Sequence, residues 1–306
     1  MMKHRVLSAT VVASAFCLVF DELPVMAESA VKHGPAAMGG VAEKPRNDLA
    51  IELTADYCTR QLTYGLIDNR DPIVTLEGVA EWHGFTFETA VIFDTTKWGR
   101  KNCGYGNRQG KYQEIAFGPG YAHTFTPDEW RRLPTSVEVF LNYIYEYHPQ
   151  VRKSRGEENP DTQFINAGMT LPDLPVAPWM SAEFDIDNEC GAVYLNAGVQ
   201  HAFTLIQAAG GRETDPLSLT LCGGVGFGNP KRNRYDAGFD AYAVKDAHIS
   251  ASLEWQITDQ LVLSPYAAVY EQLHGRLRDA ACRRSIDGES HNSTQLIGGL
   301  RLTAAF

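Results

Sequence analysis

Residues 293–306, STQLIGGLRLTAAF, place an apolar or small residue at every second position from Leu296 to Phe306. A period of two is typical of a β-strand that has one apolar and one polar face. A strand of this kind that lies at the margin of a sheet leaves an edge of unpaired backbone groups. The pattern therefore favours a sheet that closes on itself, so that its last strand has two neighbours.

The same alternation recurs along the chain, interrupted by polar tracts rich in turn-forming residues. In the segment 85–96, Phe85 and Phe87 share one face, whereas Glu88 and Asp94 lie on the other. A short turn of helix is expected at 127–132. The alternation predicts twelve strands, at 49–64, 73–82, 85–96, 112–125, 136–147, 162–171, 178–187, 191–205, 216–227, 247–257, 261–272 and 293–306.

Two all-β architectures alternate in this way, a soluble sandwich with its apolar face inward and a membrane barrel with its apolar face toward lipid. Most predicted strands are about 10–15 residues long, which is closer to the ~9–11 residues of a tilted membrane strand than to the ~5–6 residues of sandwich strands. Short connections such as 83–84 and 259–260 alternate with long ones such as 97–111 and 273–292. This asymmetry favours the barrel, because membrane barrels have short turns on one side and long loops on the other.

Aromatic residues on the apolar face support the same choice, because they gather near both ends of the predicted strands. Such girdles are typical of the two boundaries between lipid and water. Those at the short-turn end are Trp82, Phe85, Phe125, Phe203, Trp255 and Phe306, and those toward the long-loop end are Tyr57, Phe93, Tyr145, Tyr147 and Phe227.

The first residues have the pattern of a secretory signal peptide. Met1–Arg5 is basic, Val6–Phe20 is apolar, and Val25–Ala27 offers a small-residue processing site. A membrane-anchoring helix is the less favoured alternative, because about 20 apolar residues are needed to cross a bilayer. We predict a signal peptide over 1–27, a flexible periplasmic leader over 28–48 and a barrel domain over 49–306.

A signal peptide, an even number of strands, long loops on one side and a last strand that ends in Phe306 resemble a Gram-negative, porin-like outer-membrane β-barrel protein. The resemblance implies an all-β fold, a single closed antiparallel transmembrane barrel of about 12 strands. It also implies an outer-membrane location, in contact with lipid and lipopolysaccharide. In such proteins the barrel-assembly machinery recognises the last strand, here through Leu300, Leu302 and Phe306.

In a barrel of this kind the polar face of each strand lines the lumen, and that face is rich in carboxylates. Such a lumen is either wet and tolerant of cations, or packed as a polar plug in which the carboxylates pair with Arg and Lys from loops folded inward. The sequence leaves both alternatives open. The predicted lumen-lining residues are Glu52, Asp56, Arg60, Glu77, Glu81, Glu88, Glu138, Glu146, Glu183, Asp185, Glu254 and Arg301.

The long loops, predicted to be extracellular, carry clusters of basic residues. Long-range attraction of an anionic solute to the mouth is one interpretation. The favoured interpretation is contact with lipopolysaccharide phosphates, to which Arg binds in a bidentate manner. The predicted mouth residues are Lys97, Arg100, Lys101, Arg108, Arg232, Arg278, Arg283 and Arg284.

Motifs for other chemistry are weak. The five cysteines beyond the signal peptide have no CxxC spacing, which argues against a zinc site. The segment 222–228, CGGVGFG, lacks the Lys and the helix of a phosphate-binding loop, and its glycines fit crowded strands better. The histidines do not combine with a nucleophile and an orienting residue in a local catalytic set. We predict no catalytic residue, no metal site, no cofactor and no nucleic-acid partner.

The sequence thus predicts a porin-like channel through which small polar solutes pass passively. A closed barrel that serves a structural or adhesive role through its loops is the alternative. An outer-membrane hydrolase is the third hypothesis.

Overall fold

All twelve predicted strands are present in the computed structural model. The model describes residues 49–63, 66–69, 71–95, 112–130, 133–148, 161–187, 189–206, 217–283 and 293–306. The predicted signal peptide and leader lie outside these residues. The barrel strands are β1 (Ala50–Cys58), β4 (Ile73–Trp82), β5 (Phe85–Asp94), β6 (Tyr112–Phe125), β7 (Val137–Tyr147), β8 (Thr162–Thr170), β9 (Ala177–Asp185), β10 (Val193–Ile206), β11 (Leu217–Gly228), β12 (Ala243–Thr258), β13 (Leu261–Gln272) and β14 (Thr294–Ala305).

Three connections contain further elements. A small hairpin of β2 (Gln61–Thr63) and β3 (Leu66–Asn69) lies between β1 and β4. Helix α1 (Pro230–Ala237) lies between β11 and β12, and helix α2 (Gly275–Arg283) lies between β13 and β14.

The barrel closes between its last and first strands. Each strand pairs antiparallel with its neighbours around the ring, and β1 pairs with both β14 and β4. Beyond the ladder, the Phe306 N–H donates to the Ile51 carbonyl (2.9 Å) and the Ile51 N–H donates to the Phe306 carbonyl (3.2 Å). The expectation that the last strand has two neighbours is confirmed, and closure satisfies backbone groups that an edge would leave unpaired.

The two ends of the barrel differ in their connections. At one end, named the turn end, the connections are 83–84, 126–136, 171–176, 207–216 and 259–260. His83 and Gly84 both have positive φ (53° and 82°), as a two-residue turn between antiparallel strands requires. At the other end, named the loop end, the connections are 59–72, 95–111, 148–161, 186–192, 229–242 and 273–293.

The outward face of the barrel is apolar. Ile249 in β12 is 70% exposed, and Leu296 near the start of β14 is 64% exposed. Phe87, predicted to face outward, is exposed, whereas Asp94 on the other face of β5 is buried. The alternative of a soluble sandwich is therefore wrong, because a sandwich buries its apolar face.

The helices differ from the sequence prediction. The predicted helical turn at 127–132 is a hydrogen-bonded turn in its described part, in which Thr126 and Glu129 each accept from the other's N–H (3.4 and 3.2 Å). Helix α1 was not predicted, because it lacks an apolar stripe. It is specified by its ends, with Asn229 as N-cap and Gly238 (φ 71°) as C-cap.

Within the described part of the chain, the helices are too short or too polar to cross a bilayer.

Candidate functional site

The lumen is the candidate site, and its two halves differ. The loop half is the part of the lumen near the loop end, which includes Asp56, Glu114, Glu146, Glu183 and Asp246, all buried. The turn half is the part near the turn end, which includes Glu52, Glu81, Glu88, Glu138 and Glu254, all at least partly exposed.

Helix α1 occupies the loop half because polar contacts hold its first turn against the barrel wall. The side chain of Asn229 caps α1, accepts from the Val193 N–H (3.1 Å) and donates to the Gly191 carbonyl (2.8 Å). Asn233 donates to the carbonyls of Gly228 (2.8 Å) and Ala241 (2.7 Å). These contacts turn one face of α1 inward.

Two ion pairs join α1 to the wall. The Arg232 guanidinium donates to Glu183 on β9 (3.0 Å), and the two side chains are 3% and 5% exposed. Asp236 accepts from Lys245, whose side chain is fully buried. Because both pairs are shielded from water, each charge depends on its partner.

Lys245 reaches the lumen because β12 contains a bulge. In the pairing of β12 with β11, Asp246 lies opposite Gly226 and Val244 lies opposite Phe227. Lys245 is skipped in this register, so it is the extra residue of the bulge. Asp246 also turns inward and accepts from the Tyr194 hydroxyl (3.1 Å). The Lys245 ammonium lies 5.6 Å from the centre of the Tyr194 ring, within cation–π range.

A charged contact also joins the first and last strands, β1 and β14, where the barrel closes. Arg301 on β14 donates to Asp56 on β1 through Nη2 (2.8 Å) and Nε (3.2 Å). The Tyr266 hydroxyl donates to the other carboxylate oxygen of Asp56 (2.9 Å). Nearby, Arg60 donates to the side chain of Gln295 (3.2 Å).

Glycines of β11 leave room for large side chains in the loop half. A Cβ atom at Gly226 would lie 2.0 Å from the Tyr194 hydroxyl oxygen, and one at Gly224 would lie 2.8 Å from the His248 ring. His248 stacks against Trp179 with ring centroids 6.1 Å apart. The crowding expected for this glycine-rich segment is confirmed.

In the turn half, two carboxylates accept hydrogen bonds from neutral side chains. Glu88 accepts from Asn142 (2.9 Å), and Glu254 accepts from the hydroxyls of Ser218 (3.3 Å) and Thr220 (3.2 Å). These carboxylates are in contact with water and are therefore more strongly screened than those of the loop half.

The turn end also holds one carboxylate in a fixed position outside the strands. Asp173, in the connection between β8 and β9, accepts from the Ser136 N–H (2.9 Å) and the Thr135 hydroxyl (3.4 Å). Hydrogen bonds from Ser136, and a weaker one from Thr135, hold the pKa of Asp173 below its ordinary value.

Several histidines belong to the outer aromatic girdle of the turn end. His201 on β10 packs edge-on against Phe203 (4.3 Å between centroids). His123 on β6 lies between Tyr121 (6.3 Å) and Phe125 (4.5 Å). Their outward positions are explained by this packing against aromatic neighbours.

The predicted lumen residues lie on inward-facing strand positions, except Arg60, which follows β1. Among the predicted mouth residues, Arg278 is exposed on α2. The prediction for Arg232 is wrong, because its side chain points into the lumen and pairs with Glu183 instead of facing the mouth. Leu300, Leu302 and Phe306 are exposed on the outer face. The remaining mouth predictions, Lys97, Arg100, Lys101, Arg108, Arg284 and the side chain of Arg283, lie outside the described residues.

The sequence prediction missed Tyr194, Asp236, Lys245 and Asp246. The bulge interrupts the alternation at 244–246, and Asp236 lies in a segment interpreted as a loop. Asn229 followed by Pro230, with Gly238 further on, was the signal that could have revealed α1.

No protein-family model matches the sequence, and no curated protein matches it. Solved structures of outer-membrane proteins are similar at low identity. An outer-membrane channel from Pseudomonas putida F1 has 10% identity and a TM-score of 0.42, over 87% of this chain and 100% of that chain. The KdgM porin has 8% identity and a TM-score of 0.40, over 84% and 99%. The Acinetobacter baumannii outer membrane protein Omp33 has 11% identity and a TM-score of 0.34, over 85% and 98%. For this chain, the barrel follows from its own strand pairing.

Proposed function

We propose that this protein is an outer-membrane barrel that forms a narrow, cation-preferring channel for small polar solutes. The location is supported by the exposed apolar outer face, which would be costly in water and is stable in lipid. A closed ring of strands satisfies its backbone hydrogen bonds inside a bilayer.

The cation preference is carried by one observation, the carboxylates of the turn half. Glu52, Glu81, Glu88, Glu138 and Glu254 line it and are at least partly exposed. Fixed negative charge on a wet wall raises the local concentration of cations and repels anions.

The narrowest part of the path is the loop half. There α1 projects inward, and its Arg232 and Asp236 pair with Glu183 and Lys245 of the wall. Buried side chains fill this region, so the proposed channel passes small solutes only.

Planar bilayers test this proposal. The purified barrel is expected to give small conductance steps, with a reversal potential in a KCl gradient that indicates selectivity for potassium. Anion selectivity would contradict the proposed role of the turn-half carboxylates. Absence of both conductance and liposome swelling would overturn the proposal that the barrel is a channel.

A closed barrel with a structural or adhesive role is the second candidate. It is favoured by the two buried ion pairs between α1 and the wall, because such pairs can hold a plug in place. Conductance that is absent in the wild type and appears in Arg232→Ala would support this candidate.

A further inference from the structure

Strands β6 and β7 bring two glutamates and a histidine together at the loop end of the lumen. Ala116 pairs with Glu146 and Ile115 pairs with Tyr147. Continued by one residue, this register places Glu114 opposite His148, so Glu114, Glu146 and His148 share the inward face.

The ligand atoms of these residues are close enough for a metal ion. One side-chain ligand atom from each lies within 4.8 Å of the others. His148 Nε2 is 3.5 Å from Glu114 Oε2. Two ligands bound tetrahedrally at ~2.0–2.2 Å from an ion are separated by about 3.4 Å.

One of the carboxylates is buried with an unsatisfied oxygen. The Glu114 side chain is 4% exposed, and its Oε1 has no hydrogen-bond partner among the described residues. A buried carboxylate oxygen without a partner is costly unless a cation satisfies it. This oxygen belongs to the carboxylate whose other oxygen lies 3.5 Å from His148 Nε2, so Glu114 has an unused acceptor beside the cluster.

The charge around the cluster also favours a cation. Glu146 interacts electrostatically with Glu114, Glu183, Asp185 and Arg232. Arg232 already forms its ion pair with Glu183. Among the described residues around Glu146, one guanidinium therefore faces four carboxylates.

The histidine is held in place by its neighbours. The backbone N–H of His148 donates to Asp161 Oδ1 (3.1 Å), and the Tyr145 hydroxyl donates to Asp161 Oδ2 (2.9 Å). Asp161 thus fixes the backbone of His148 at the end of β7, which positions the ring beside Glu114.

We propose that Glu114, Glu146 and His148 bind one divalent first-row transition-metal ion, represented by Zn²⁺, between β6 and β7. Three protein ligands leave room for water in the coordination sphere. The imidazole favours such an ion over Ca²⁺ or Mg²⁺, which prefer oxygen ligands. The site lies in the loop half, away from the turn-half carboxylates that carry the proposed cation preference, and its test does not depend on conductance.

The test uses the untagged barrel, folded in detergent, stripped with EDTA and then titrated with Zn²⁺. Calorimetry is expected to show one equivalent bound with micromolar or tighter affinity. His148→Gln and Glu114→Gln are each expected to weaken this binding at least tenfold, with folding checked by heat-modifiable gel mobility. Asp128→Asn, a change of an exposed carboxylate in the connection between β6 and β7, is the control and should bind as the wild type does.

Co²⁺ provides a second measurement. Its visible absorption in the wild type should indicate nitrogen and oxygen ligands, and His148→Gln should change the spectrum. Absence of stoichiometric binding to the folded wild type would overturn the proposal. Equal affinity in the wild type and the folded His148→Gln variant would also overturn it.

Discussion

The loop half and the turn half of the lumen contain the same kinds of side chain in different surroundings. In the loop half, Glu183 is buried and paired with Arg232. In the turn half, Glu254 is partly exposed and accepts from Ser218 and Thr220. A buried carboxylate requires a partner and contributes to the architecture, whereas a hydrated one can act on passing ions.

The two halves of the lumen differ because of the connections between the strands at each end of the barrel. A helix returns from the loop end into the lumen, and the bulge in β12 adds the inward Lys245 beside it. At the turn end, 83–84 and 259–260 are two-residue turns that continue the strands with little added bulk. The filling and the charge pairing of the loop half thus follow from one connection that turns back into the lumen.

The largest effect is expected from Arg232→Ala. Removing the guanidinium takes away the buried partner of Glu183, which we expect to lower the free energy of unfolding by about 3–5 kcal/mol. Urea denaturation of the barrel in lipid vesicles measures this. The control is Arg234→Ala on the same helix, whose pair with Asp240 is about 60% exposed and should contribute less than about 1 kcal/mol. Equal losses in the two variants would contradict the contrast between buried and exposed pairs.

Gly226→Ala is expected to have the next largest effect. The added methyl group collides with the Tyr194 hydroxyl, so we expect a loss of about 1–3 kcal/mol in the free energy of unfolding. Gly298→Ala is the matched change, because a Cβ atom there meets its nearest neighbour at an ordinary 3.6 Å. The same denaturation experiment should show little change for Gly298→Ala, and a similar loss in both would argue against crowding in the loop half.

Neutralising the turn half should change selectivity more than stability. In the double variant Glu81→Gln and Glu254→Gln, the ratio of cation to anion permeability should fall roughly twofold, because fixed charge is removed from a hydrated wall. The reversal potential in a KCl gradient measures this ratio. Asp128→Asn, an exposed carboxylate in the connection between β6 and β7, is the control and should leave the ratio unchanged.

The smallest effect is expected from Asp173→Asn. Because the pKa of Asp173 is lowered in the folded state, its contribution to stability is present above the unfolded pKa and is lost as the pH falls through the folded pKa. The difference in stability between the wild type and Asp173→Asn should be below about 1 kcal/mol near neutral pH and should decrease below about pH 4. A difference that grows on acidification would contradict the role of the Ser136 hydrogen bonds.

Strand positions were predictable because their signal is local. The segments 73–82, 112–125 and 261–272 match β4, β6 and β13 at both ends. Alternation shows which side chains share a face, and the exposed outer face is apolar, so the pattern persists through each strand. Two strands differ from the prediction by more than two residues at one end. The predicted strand 49–64 is too long, because β1 ends at Cys58 and Gln61–Thr63 pairs in the small hairpin instead. Strand β12 begins at Ala243 and not at residue 247, because the bulge at Lys245 breaks the alternation.

The sequence predicted which residues face the lumen but not which of them contact one another. Glu146, Glu183 and Asp56 were identified as inward-facing from their parity. Their partners were not identified, because Arg301 lies 245 residues from Asp56 in sequence and Arg232 comes from an inward-turned helix.

The sequence by itself determined twelve alternating strands, each with one apolar face. Alternation acts between nearest neighbours in the chain and can be recognised without knowing the fold. The tertiary structure alone decided that Arg232 enters the lumen, that Lys245 is buried and that Glu114 meets His148. These outcomes depend on the register between strands and on the path of a returning loop, which join residues that are distant in sequence.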